Sequence, residues 1–215
     1  MGRHGARLRW VVVLVSVTVA VLATVDMFVE REREWARGGD QVAVTVEAHL
    51  PEPEQVAGVA AAFGWPDAVN VIGEPDHQSV VLHLRWSGPP REGHYQVILL
   101  DGRVVPARVL PPYGGWDAAG ATGFNWAGAY EVLAERYDWL ADTAPRETPD
   151  GSVTSGDHGA IGTRARAEGS LVAVFRLDPH ALPLDETSHL VVAFCYVEPD
   201  GEVRWAKRVP VPASA

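Results

Sequence analysis

The sequence contains one cysteine, Cys195, and one lysine, Lys207, in 215 residues. A lone cysteine excludes an internal disulfide framework. It lies in Leu190-Val-Val-Ala-Phe-Cys-Tyr-Val197, a run apolar on both faces, which predicts a small buried hydrophobe, with a reactive thiol or an intermolecular disulfide as the alternatives. Seventeen arginines to one lysine, with abundant Ala, Gly and Val, fits the coding bias of a GC-rich bacterium.

Chemical motifs are missing as well. The eight histidines are scattered, with no H-x-x-x-H or H-E-x-x-H spacing, so no metal site is expected. No G-x-S-x-G elbow occurs, and Ser155-Gly-Asp157-His158 stands alone in a Pro/Gly/Ser-rich stretch without rigid surroundings, so no catalytic residue is assigned. Gly114-Gly-Trp-Asp-Ala-Ala-Gly-Ala-Thr-Gly123 has neither Gly-Lys-Ser/Thr nor G-x-G-x-x-G, and Asp117 would repel a phosphate. No cofactor is expected.

What is present begins at the N-terminus. Residues 10–25 carry no charge and follow Arg3, Arg7 and Arg9. Extended past Asp26 through Met27, Phe28 and Val29, the run reaches the length of a spanning helix, with Trp10 and Phe28 at the interfaces. The chain then reads as a cytoplasmic basic tail (1–9), a transmembrane signal-anchor (10–29), a charged stalk (30–39) and an extracytoplasmic domain (40–215). The competing reading is a cleaved signal peptide ending near Val21-Leu22-Ala23. Orientation rests on the undiluted positive charge of the tail, since Arg31, Arg33 and Arg37 beyond the run alternate with Glu30, Glu32 and Glu34. That alternation suits a short solvated helix.

Beyond the tail the chain is strongly acidic, with 28 Asp and Glu in total, so it would repel phosphate backbones and nucleic-acid binding is not expected. Gln41–Leu50 alternates as a half-buried strand, and Pro51-Glu-Pro-Glu-Gln opens a helix through Val56, Val59, Ala60 and Phe63 that Gly64 stops. A short strand is expected at Ala68–Ile72. Ser79–Trp86 and His94–Leu100 read as a hairpin, with Trp86 opposite His94 and Leu82 opposite Ile98, and Asp101-Gly102 as a two-residue turn onto Arg103–Leu110, an edge strand because of Pro106. Trp126, Tyr130, Leu133, Tyr137 and Leu140 recur at helical spacing over Phe124–Leu140, and Thr143–Gly169 reads as a long mobile loop. Strands return at Ser170–Leu177, His189–Val197 and Val203–Val209, with Cys195 expected to face Trp205.

The expected architecture is α+β: an N-terminal transmembrane helix followed by an antiparallel, sandwich-like β domain with two interposed helices. Tyr113, Trp116 and Trp126 border the glycine-rich segment and form the candidate binding site, an aromatic platform for a glycan or peptide, unless the rings only pin the loop to the core. Two functions follow. One is a membrane-anchored binding or scaffolding module whose partners are the membrane, through residues 10–29, and a protein or glycan of the cell envelope. The other is a cell-envelope hydrolase whose site only the fold assembles.

Overall fold

The computed structural model describes residues 16–18, 21, 23–25, 27, 29–30, 38–72, 78–88, 92–103, 107–122, 124–126, 136–140, 159–177 and 183–213. Met1–Gly38 and Gly39–Ala215 are separate compact units. In the first, the described residues before position 31 are helical. Among the described residues no helix is long and apolar enough to cross a membrane, and the expected span at 10–29 lies largely outside them.

The second unit is mostly β: two antiparallel sheets packed face to face, with a few short helices. Strand β1 (Ala43–His49) begins the first sheet, whose order is β1-β2-β9-β5-β6, with β2 Ser79–Ser87, β5 Pro112–Asp117, β6 Gly120–Thr122 and β9 Glu168–Arg176. The second has the order β11-β10-β3-β8-β7, with β3 His94–Asp101, β7 Phe124–Trp126, β8 Gly159–Arg164, β10 Leu190–Val197 and β11 Val203–Pro210, and with β4 (Arg108–Leu110) also beside β3. Leu82, Leu84, Trp86, Leu171 and Phe175 of the first sheet meet Tyr95, Val97, Leu99, Phe194 and Trp205 of the second in one core.

The expected β2–β3 hairpin does not form. β2 pairs with β1 and β9, and β3 pairs with β10, β8 and β4, so Leu82 lies opposite Ala48 and Ala173 rather than Ile98. Both strands are buried on both faces over most of their length, and each therefore serves as an interior strand of its own sheet. The chain between them crosses from sheet to sheet. Gly88 donates to the carbonyl of Ala167, Ala165 donates to that of Gly93, and Gly93 adopts a positive φ where a Cβ would strike the Val197 carbonyl.

Other expectations are corrected by local packing. Gly64, at φ 107°, ends helix α1 (Val56–Ala62) as the spacing predicts. Ala68–Val71 is a short helix α2 instead of a strand: Ala68 and Ile72, four apart, are the buried pair, whereas Val69 and Val71 face outward. β4 does pair with β3, but the pairing of Asp101 with Arg108 leaves a connection longer than two residues. Phe124–Trp126 is strand β7, so no single helix runs from Phe124 to Leu140; the 3-10 turn Asp138–Leu140 is described, and residues 127–135 lie outside the described set. The expected loop 143–169 is likewise cut short. Residues 141–158 lie outside the described set, while β8 and the start of β9 occupy the rest. Small residues lowered the hydropathy of β8 because the sheets approach closely there: a Cβ on Gly115 would lie 2.8 Å from Ile161 Cγ2. Cys195 is opposite Ala206, and Tyr196 opposite Trp205, with an irregularity in register at Tyr196/Val197. The thiol faces the outer side of the second sheet, fully buried, and burial pushes its pKa up to about 12.

Trp86 and Gly169 are direct cross-strand partners, and a Cβ on Gly169 would lie 2.1 Å from Trp86 Cζ2. The Trp86 ring is tied at its other end, where Nε1 donates to the Arg166 carbonyl at 3.2 Å. Gly169→Ala should therefore destabilise the domain by about 2–3 kcal/mol and lower the melting temperature by roughly 5–10 °C. An unchanged thermal transition by circular dichroism would contradict this packing.

Candidate functional site

The register of β1, β2 and β9 lays out the outer face of the first sheet in rows. Across the three strands these run Ala43–Ser87–Glu168, Thr45–Arg85–Ser170, Glu47–His83–Val172 and His49–Val81–Val174. Alternation within each strand puts all these side chains on one side, away from the core. The last two rows are roofed in part. Val56, Ala60, Trp65, Ala68 and Ile72 of the helical layer close over Val81, Val172 and Val174. The first two rows stay open and line a groove of about 520 Å³ bounded by Thr45, Arg85, Ser87, Ala118, Glu168 and Ser170, with Trp86 reaching it from the core side.

Where roof meets groove stands a polar cluster. Arg85 Nη1 lies 3.5 Å from Glu47 Oε1, and Arg85 Nη2 lies 3.5 Å from His83 Nδ1. His83 Nδ1 is also 3.9 Å from Glu47 Oε2. The imidazole packs against the Phe63 ring at 4.9 Å between centroids, and His49 lies 5.0 Å from the same ring. Burial, and then the charge of Arg85, push the His83 pKa below its usual value, and Glu47 only partly offsets them. The neutral ring can accept from the guanidinium through Nδ1.

The aromatic candidates divide. Tyr113 and Trp116 stand on β5 in the first sheet, whereas Trp126 stands on β7 in the second. Their segment is not a glycine loop but strands β5, β6 and β7. Tyr113 donates its hydroxyl to the Ile72 carbonyl and lies under the guanidinium of Arg176, 4.1 Å from the ring centre. Half-buried Trp116 stacks on buried Trp65 at 6.4 Å, and the lack of a side chain at Gly114 makes room for the Trp65 ring. Asp117, read from sequence as an obstacle to phosphate, accepts from the Thr163 hydroxyl at 2.6 Å and joins the two sheets.

Ser155, Asp157 and His158 lie outside the described residues. Among the described residues neither Ser87 nor Ser170 is bonded to a histidine, and Glu47 and Glu168 stand on opposite sides of Arg85. Among the described residues no three His, Cys, Asp or Glu side chains are grouped to hold a metal ion. A second polar cluster is structural: burial would raise the Asp101 pKa, but the hydrogen bonds and charge of Arg103 hold it below the usual range, and Arg103 also donates to the Pro183 carbonyl at 2.8 Å.

The sequence pattern singles out none of Thr45, Ser87, Glu168 and Ser170. Each is an unremarkable polar residue on its own strand, and only the register brings them together. No family model, curated protein or solved structure matches this chain.

The His83 environment has a measurable consequence. Its lowered pKa means that the unfolded chain takes up a proton more readily below the ordinary value of 6.5. The stability from keeping this ring neutral is complete above that pH and is lost as the pH falls through the lower folded-state pKa. Half-buried His94, whose pKa partial burial also lowers, acts in the same direction. Urea unfolding across this range should show stability falling with acidification, with a shallower fall in His83→Gln. Identical pH profiles for the two proteins would contradict the assignment.

Proposed function

We propose that this chain is a single-pass, membrane-anchored binding or scaffolding module of the cell envelope, with its N-terminus cytoplasmic and its strand-rich domain outside. The uncharged run behind a purely basic tail supports the anchor. So does the outward exposure of Val17, Val21, Val25, Met27 and Val29 on the described helical residues, an arrangement costly in water and favourable in hydrocarbon.

The observation that carries the binding reading is the open groove over Thr45, Arg85, Ser87, Glu168 and Ser170, on a sheet face whose other rows are roofed. Its polar groups are suited to holding a partner. A hydrolase would instead require a paired acid and base or an activated nucleophile, and the groove's carboxylates flank a guanidinium. The domain's acidic balance keeps nucleic acid off this surface.

Two measurements test this. In intact spheroplasts, added protease should digest a C-terminal tag on membrane-bound protein; a protected tag, or one released in soluble form, would overturn the topology. For the groove, full-length protein in lipid nanodiscs is exposed to envelope fragments and read by amide hydrogen exchange. Protection should fall on β1, β2 and the start of β9, and should disappear in Ser170→Trp, which fills the groove at an exposed position. Protection elsewhere, or protection indifferent to Ser170→Trp, would overturn the groove as the recognition surface.

A further inference from the structure

Among the described residues the groove contains one cation and one anion, Arg85 and Glu168, whose bonding capacity is largely unspent. Arg85 pairs in register with Ser170, and Ser87 with Glu168, so Arg85 and Glu168 are diagonal neighbours on one face, with Cα atoms about 7–8 Å apart. The Arg85 side chain is 58% exposed, and its contacts with Glu47 and His83 are both 3.5 Å long, the regime in which surface pairs contribute little. Glu168 is exposed and has no ion-pair partner among the described residues. Ser87 and Ser170 lie on the opposite diagonal, between the two charges, while Thr45 flanks Arg85 on its far side and donates its hydroxyl to the Arg85 carbonyl at 3.5 Å; the small residues Ala43 and Ala118 also line the groove. The volume of about 520 Å³ suits a small ligand or a short stretch of chain.

Charge narrows the occupant. A purely anionic ligand meets Glu168, Glu47 and a protein of net charge −10, and a purely cationic one meets Arg85. A ligand with both charges satisfies both groups. Building on the binding role above, we propose that the groove takes a zwitterionic short peptide, its free carboxylate on the Arg85 guanidinium and its free ammonium on the Glu168 carboxylate. The planar guanidinium receives a carboxylate through two parallel hydrogen bonds. The Ser87 and Ser170 hydroxyls, on the diagonal that crosses the line from Arg85 to Glu168, serve the peptide group between the charged ends.

The test uses full-length protein in nanodiscs and three probes: dialanine, N-acetyl-dialanine and dialanine amide. Binding is followed by the amide shifts of Ser87 and Ser170. Dialanine should bind, and each blocked form should bind at least about tenfold more weakly. Arg85→Gln should abolish discrimination between dialanine and its amide alone, and Glu168→Gln that between dialanine and its N-acetyl form alone. Both substitutions are at exposed positions, and an unchanged melting temperature checks that the fold is intact. Equal binding of all three probes, no response to dialanine, or unaltered discrimination in the variants would overturn the proposal. If that happens while envelope fragments still protect the groove, the ligand class alone is wrong; if that protection is absent as well, the recognition surface is wrong too.

Discussion

The ring of Tyr95 is where the two sheets are joined. Fully buried on β3, it meets Trp86 of the first sheet edge-on at 5.7 Å, and packs against Phe194 at 4.6 Å, Tyr196 at 5.9 Å and Trp205 at 6.0 Å. Such pairs contribute about 0.5–1.5 kcal/mol each beyond the area they bury. The cluster also fixes the crossing between the sheets, since the Tyr196 hydroxyl donates to the Glu92 carbonyl at 2.6 Å, next to the left-handed Gly93. With β2 and β3 committed to opposite sheets, each gains partners on both sides.

That commitment gives the outer face of the first sheet its rows. Trp86, held by Tyr95 within the core and by the Arg166 carbonyl at its rim, reaches the groove from below, so core and groove share a wall. Helices α1 and α2 roof one end of the face through Trp65, which needs Gly114 beneath it and stacks on Trp116. At the edge, the single lysine bridges the sheets: Lys207 of β11 donates to the carbonyls of Gly39 and Val42 at 3.1 and 2.7 Å, anchoring the chain as it enters β1. A compact ammonium with freely rotating donors suits two carbonyls better than a planar guanidinium would.

Legibility in the sequence followed side-chain pattern. The alternation from Ala43 to His49, the face of α1 and its stop at Gly64, and the β10–β11 hairpin were all visible, because one face was apolar and the other polar or the turn chemistry was strong. Where both faces are apolar, as in β2 and β3, a strand can be read but its partner cannot. Small residues misled in the opposite direction: Gly159, Gly162 and Gly115 resemble loop yet lie in strands. Val69 and Val71 suggested a strand by their β-branching, although Ala68 and Ile72 set the buried face. The groove was hidden for a related reason, since the proximity of Arg85, Ser170 and Glu168 is a property of register, and register between distant strands leaves no local signal.

The partition of β2 and β3 between the sheets is the claim on which core, groove and proposed recognition depend, and cross-strand nuclear Overhauser effects in the labelled full-length protein test it most directly. The account predicts effects between Trp86 and Gly169, between Arg85 and Ser170, and between Tyr95 and Tyr196. Effects pairing Leu82 with Ile98 and Val80 with Leu100 would place β2 and β3 in one hairpin and contradict it.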